Sequence, residues 1–112
     1  MAMDSLEQSA LTEALDRMWR QFSPQMHERL ALIQTGVLAY ANGELSAVQK
    51  ESARDAAHKL SGVLGTFGLA NGTVLARELE TIFACLEGQD QELAERMVRL
   101  ADGLNELIEN RK

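Results

Sequence analysis

The chain has 112 residues, 46% of them hydrophobic and 25% charged, with 17 acidic and 11 basic side chains and a formal net charge of −6. This length and composition indicate one globular domain with a modest core and exclude a disordered chain. The acidic balance argues against nucleic acid as a partner, because phosphate backbones are bound by basic surfaces.

The first predicted helix covers residues 4–21. An aromatic content of only 4% and a single proline favour helices over strands throughout the chain. Asp4 or Ser5 caps this helix, and Trp19 borders its apolar face. That face collects residues at spacings of three and four, namely Leu11, Ala14, Leu15, Met18 and Phe22. We expect this helix to lie across the rest of the domain as an additional N-terminal element.

A second predicted helix begins at Ser23-Pro24, because serine is a favoured cap and proline suits the first helical position. It ends at Asn42-Gly43, a common left-handed stop. Its predicted buried stripe consists of Met26, Leu30, Ile33, Val37 and Tyr40. His27 lies on the flank of this stripe, and we interpret it as structural or solvated because no metal-ligand partners accompany it.

The third predicted helix runs from near Glu44 to about Leu64. Its mixed-charge beginning indicates a solvated face. The segment Gly65-Thr66-Phe67-Gly68 then breaks or distorts the helix. We interpret Phe67 as a core side chain beneath that turn.

The last two predicted helices run over residues 72–87 and from residue 90 towards the C-terminus. Asn71 is the predicted cap of the first, Gly88 its stop, and Asp90 the cap of the second. Cys85 is interpreted as a small buried hydrophobic residue. As the chain's only cysteine, it excludes an intramolecular disulfide.

The predicted fold is all-α. Short connections predict that neighbouring helices run antiparallel, giving an up-down-up-down four-helix bundle over residues 23–110 with the additional N-terminal helix packed on it. Residues 1–112 then form a single domain. Because the sequence has neither a membrane-spanning apolar stretch nor a signal-peptide core, we expect a cytoplasmic protein, or one domain of a larger one, without membrane insertion. We also expect it to be a monomer.

One histidine lies on the polar side of the third predicted helix. At about 100° per residue, the apolar residues that share one face are Leu45, Ala53, Ala56, Leu60, Val63 and Leu64. His58 falls roughly 170° from the centre of that face and is predicted to point into solvent. Gly62 and Gly65 follow one and two turns later, although a helical glycine costs roughly 0.5–1 kcal/mol relative to alanine. They indicate a surface kept low so that a partner can approach.

Three stretches carry a family resemblance: Ala57-His58-Lys59-Leu60-Ser61-Gly62, then Leu64-Gly65-Thr66-Phe67-Gly68, then Leu75-Ala76-Arg77-Glu78-Leu79-Glu80. Together they resemble the signature of histidine-containing phosphotransfer (HPt) domains. The resemblance implies a phosphocarrier of a multistep phosphorelay. In such a relay His58 accepts a phosphoryl group from a receiver-domain aspartate and passes it to another receiver. Where the family often has a lysine three residues after the histidine, this chain has Ser61.

The chemistry fits an exposed imidazole, because its neutral form is a nucleophile that needs no base to remove a proton first. Arg54, Lys59 and Ser61 are the candidates for contacts with the phosphate. Arg54 is the better placed cation, since Lys59 lies about 100° around the helix from His58. We expect Gly62 and Gly65 to let the partner approach.

The resemblance also implies the partners, namely response-regulator receiver domains, a hybrid sensor kinase, or both. The acyl phosphate, the Mg²⁺ and an activating lysine would belong to the receiver, so this chain needs no metal or cofactor of its own. It would be a transfer intermediate rather than an enzyme, without ATP binding or kinase activity.

Three other classes compete with this interpretation. A metal or haem bundle would need inward-facing ligands at helical spacing, whereas His58 faces outward. A sensor-kinase dimerisation helix usually has an acidic residue after its histidine and a proline soon after. Here Lys59 follows, and the only proline is Pro24. The remaining alternative is a helical interaction module that docks receiver or kinase domains without phosphotransfer, and Ser61 in place of lysine keeps it open.

Overall fold

Four α-helices form the described part of the chain. The structure, a computed structural model, describes residues 5–111, and no strand occurs among them. The helices are α1 (Ser5–Ala41), α2 (Ala47–Val63), α3 (Ala70–Ala84) and α4 (Gln91–Asn110), with a 3-10 turn, Leu64–Phe67, between α2 and α3. The predicted all-helical class is therefore confirmed. The candidate cap Asp4 lies outside the described residues.

The helices surround one hydrophobic core. Helix α2 packs against α1 and α3, and α4 packs against the same two helices, so α2 and α4 lie on opposite sides of the core. The largest fully buried side chains are Met26, Ile33, Leu60, Leu64, Leu79, Phe83, Met97, Leu104 and Ile108. The stripe predicted from Met26 to Tyr40 is buried throughout, as expected from its periodicity.

Helix α1 is continuous through Pro24, so the predicted separate N-terminal helix and the start signal at Ser23-Pro24 are wrong. Its 37 residues, at about 1.5 Å each, account for the longest dimension of the molecule, 54 Å. Buried side chains on both sides of the proline, Trp19 and Met26, belong to the same core. Their packing holds the backbone helical where the local signal alone favours a break.

Trp19 joins three parts of the chain at one end of the core. Its indole Nε1 donates to the carbonyl oxygen of Arg111 at 3.0 Å, and its ring packs edge-to-face with that of Phe67 at 5.2 Å between centroids. Phe67 is buried, as predicted for the turn after α2. The predicted stripe beside Trp19 is not the buried one, since Leu11 and Met18 are exposed.

Helix α2 begins at Ala47, not near Glu44, because Ser46 forms a capping box. The Ser46 Oγ accepts from the backbone N–H of Gln49 at 3.1 Å, and the Gln49 side chain accepts from the Ser46 N–H at 3.0 Å. Two backbone donors at the start of the helix are thereby satisfied. The Ser-x-x-Gln spacing is readable in the sequence and was the better signal.

Helix α3 differs from its prediction at both ends. It begins at Ala70 after Leu69, whose side chain makes no capping hydrogen bond, so the predicted cap Asn71 lies inside the first turn. It ends at Ala84, before the predicted end near Glu87. Cys85 therefore follows the last helical residue and is exposed, which corrects its interpretation as a buried residue. Asp90 caps α4 as predicted, its Oδ1 accepting from the N–H of Leu93 at 3.2 Å.

Helix α2 approaches α1 closely. A Cβ built on Gly36 would lie 2.8 Å from the Cβ of Ala53, so the contact requires glycine at this position of α1. The inner face of α2 is otherwise small, with Ala56 and Ala57 buried beside Leu60. Such close packing leaves α2 little room to rotate, and its opposite face stays directed outward.

The continuity of α1 is tested by Pro24→Ala. Inside a helix, proline withholds the N–H that the carbonyl four residues earlier would accept, and alanine restores it. We expect the substitution to raise the free energy of unfolding by about 1–3 kcal/mol in urea denaturation. The neighbouring exposed Gln25→Ala serves as control and should change it by less than about 0.5 kcal/mol. A loss of stability in Pro24→Ala would instead indicate a helix that begins at Pro24.

Candidate functional site

His58 lies on the outer face of α2. Its neighbours in sequence, Ala57 and Leu60, are buried, whereas the His58 side chain is 67% exposed. The exposure agrees with the helical-face prediction. The imidazole is thus held on a well-packed helix and remains open to a partner.

The carboxylate of Glu80 on α3 contacts the ring. Its Oε2 lies 2.8 Å from Nδ1 of His58, and the Glu80 side chain is only 25% exposed. Because a carboxylate is an acceptor, the hydrogen bond requires a proton on Nδ1. In the neutral ring the lone pair then belongs to Nε2. The contact fixes the ring orientation and selects the tautomer with a nucleophilic Nε2.

A shallow cleft between α2 and α3 surrounds this pair. It is lined by His58, Ser61, Gly62, Arg77, Glu80, Thr81, Ala84 and Cys85. On α2, Ser61 and Gly62 lie three and four residues after His58, and on α3, Glu80 and Thr81 lie three and four residues after Arg77. The cleft is therefore formed by one face of each helix.

Two of the predicted phosphate contacts are engaged elsewhere. Arg54 donates from Nε to Glu51 at 3.2 Å and makes a second contact with the same carboxylate, which lowers the pKa of Glu51. Lys59 Nζ lies 2.9 Å from Asp55, and this hydrogen bond lowers the pKa of Asp55. Both cations are thus paired along the outer face of α2, and neither lines the cleft.

The remaining predicted site residues are Ser61, Gly62 and Gly65, and their surroundings differ. The Ser61 hydroxyl donates back to the carbonyl oxygen of His58 at 2.7 Å, so it is directed along its own helix. A Cβ on Gly62 would meet nothing within 4 Å, and one on Gly65 would make only an ordinary contact with Thr73 at 3.6 Å. Packing within the described chain therefore does not require glycine at either position.

The sequence reasoning missed the contribution of α3 to the site. Glu80 and Arg77 stand in the segment that carried part of the family resemblance, but no role was assigned to either. The signal that could have found them is their spacing, because residues 77, 80, 81 and 84 share one helical face. Which face turns towards His58 depends on the turn after α2, and periodicity does not give that.

The other histidine has a different environment. His27 lies on α1, with Nδ1 2.8 Å from the carbonyl oxygen of Ser23 and Nε2 2.9 Å from Glu109 of α4. This contact links two helices, in keeping with the structural interpretation of His27. Within residues 5–111, no three His, Cys, Asp or Glu side chains gather closely enough to hold a metal ion.

Comparison with known proteins identifies the family. The family model described as Hpt domain matches residues 17–110, most of the chain. The chain belongs to the Hpt domain family. Hpt domains are phosphocarriers of phosphorelays that interact with receiver domains, and they are not kinases. The predicted resemblance is therefore confirmed, and the site around His58 lies within the matched residues.

A curated relative extends the comparison. Protein RcaC of Microchaete diplosiphon is 33% identical over 66 residues, which cover 59% of this chain and 10% of that protein. The matched segment thus spans only about a tenth of the relative's length. No solved structure matches significantly. Among the described helices, none is both long enough and apolar enough to cross a membrane.

The hydrogen bond to Glu80 leads to a prediction about the imidazole. We expect ¹⁵N resonances of His58 to report mainly the tautomer protonated at Nδ1, and Glu80→Ala to decrease its population because the acceptor is lost. Glu78→Ala is the matched control, since Glu78 also lies on α3 but pairs with Arg96 at 2.9 Å. Equal tautomer populations in wild type and Glu80→Ala would contradict the assignment.

Proposed function

We propose that this Hpt domain carries a phosphoryl group on Nε2 of His58, received from an aspartyl phosphate of one receiver domain and passed to the aspartate of another. The observation that carries the proposal is the exposed imidazole whose Nδ1 is hydrogen-bonded to Glu80. It presents a defined lone pair to an incoming partner. Family membership supplies the reaction class.

The transfer step requires little chemistry from this chain. The Nε2 lone pair attacks phosphorus, an N–P bond forms, and the P–O bond to the aspartate breaks, with the carboxylate leaving with the electron pair. The proton stays on Nδ1, and Glu80 stabilises the positive charge that develops on the ring. Positioning of the nucleophile is thus the main contribution of the domain. Transfer to the next receiver follows the same path in reverse.

The docking surface in this proposal surrounds His58 on α2. Gly62 and Gly65 leave the surface low beyond the histidine, and neither glycine is required by internal packing. A receiver must bring its aspartate within bonding distance of Nε2, so side chains at these positions would hold it away. The Mg²⁺ and the acyl phosphate are expected on the receiver.

The proposal also covers the assembly and its location. We infer an antiparallel up-down-up-down arrangement, supported by the short connections and by the pairing of each helix with its two neighbours. We further propose a monomer that acts in the cytoplasm. The single free cysteine suits a reducing compartment.

The first test compares the only two histidines in the chain. Phosphorylated receiver domains are offered to wild type, His58→Gln and His27→Gln. We expect label on wild type and His27→Gln and none on His58→Gln, because only His58 combines exposure with an unoccupied Nε2. The bond should be acid-labile and alkali-stable, as for a phosphoramidate. Thermal melting should show a folded His58→Gln, because an exposed side chain contributes little to stability.

Two results would contradict the proposal. Label that persists in His58→Gln would show that another residue is phosphorylated. Receiver binding without label on wild type would favour a docking module that lacks phosphotransfer.

The docking surface is tested by Gly62→Gln. We expect the rate of transfer from a receiver to fall by at least about tenfold, equivalent to about 1.4 kcal/mol in activation free energy. The longer side chain obstructs the partner while stabilising the helix. Phosphorylation by the small donor phosphoramidate is the internal control, since it needs no docking and should persist. An unchanged rate of receiver transfer would refute the steric role of Gly62.

A further inference from the structure

Phosphorylation creates an electrostatic problem at this site. A phosphoryl group brings nearly two negative charges at neutral pH, and on Nε2 it would stand one imidazole ring away from the Glu80 carboxylate. The chain as a whole is also acidic, with a net charge of −6. Unless a cation accompanies the phosphoryl group, like-charge repulsion opposes its transfer to His58.

The cations of α2 near His58 are already paired with other groups. Arg54 and Lys59 are both paired with carboxylates of their own helix, and Ser61 stands one turn beyond His58 without a charge. A counter-charge from α2 would require an existing ion pair to break. The adjacent helix therefore has to be considered.

The contacts between α2 and α3 show which residues of α3 face His58 and the residues that follow it. His58 contacts Glu80, and Gly65, seven residues further on, faces Thr73, seven residues before Glu80. The two segments therefore run in opposite directions with one constant register. The same register places Arg77, three residues before Glu80, opposite Ser61, three residues after His58.

Arg77 is exposed and lines the cleft together with His58 and Gly62. Within residues 5–111 it makes no hydrogen bond or ion pair. Its guanidinium is thus an uncommitted cation, on a long side chain, beside the open space left by Gly62. Guanidinium groups bind phosphate oxygens through two parallel N–H donors.

We propose that Arg77 binds the phosphoryl group on His58 and supplies, from α3, the cation that Ser61 does not supply from α2. This inference rests on the proposed function of His58. Arg77 is then a phosphate-binding residue, with Glu80 on one side of the ring and Arg77 beside the phosphorylated nitrogen. Both helices are needed to complete the site.

The test uses the full chain with Arg77→Gln, Arg77→Lys and Arg99→Gln. Arg99→Gln is the matched control, because Arg99 is an exposed arginine on α4, on the opposite side of the core from α2. Each protein is phosphorylated with phosphoramidate, and the phosphohistidine ³¹P signal is titrated with pH. Transfer from a phosphorylated receiver is timed in parallel.

We expect Arg77→Gln to move the ³¹P titration to higher pH, since the dianion loses its cation, and to slow receiver transfer roughly tenfold. Arg77→Lys should largely keep the wild-type titration and transfer rate, and Arg99→Gln should resemble wild type. A purely structural role of Arg77 would not move the titration midpoint.

Failures of the two proposals are distinguishable. Labelled wild type with an unchanged titration and rate in Arg77→Gln overturns the role of Arg77 alone. Equal shifts in Arg77→Gln and Arg99→Gln also overturn it, because they reflect net charge and not a binding contact. Absence of label on wild type from both donors overturns the phosphocarrier proposal and this inference with it.

Discussion

The close seating of α2 on its neighbours is the constraint on which the site depends. Ala53 of α2 lies so close to Gly36 of α1 that a residue larger than glycine at position 36 would clash with it. Leu60, also on α2, is fully buried. Rotation of α2 would expose these groups at a cost of several kcal/mol. The outer face is therefore fixed as firmly as the inner one, and an exposed histidine acquires a defined direction without being buried.

The site itself belongs to two helices. Helix α2 carries His58 and the low surface beyond it, while α3 carries the Glu80 carboxylate on Nδ1 and the uncommitted Arg77 in the cleft. A charged group missing from one helix can be compensated by the helix packed against it, provided that the register between them is constant. The departure from the family pattern at Ser61 concerns α2 alone, whereas the charges around His58 come from α2 and α3 together.

Periodicity predicted the features that depend on a single helix. The buried stripe from Met26 to Tyr40 and the exposed face of His58 follow from spacing alone, and the cap at Asp90 follows from local chemistry.

Features that depend on packing between elements escaped prediction. Pro24 signals a helix start locally, but the burial of Trp19 and Met26 in one core outweighs it. The contact between His58 and Glu80 spans 22 positions and is set by the turn after α2. Cys85 was predicted to be buried but is exposed, because α3 ends a few residues earlier than predicted.

At Gly62 the stability of the fold and the proposed docking favour different residues. Open space surrounds its Cα, and helix propensity rewards almost any other residue there. If Gly62 admits a partner as proposed, selection of variants for heat resistance alone would replace this glycine early and yield a more stable protein that transfers phosphate more slowly.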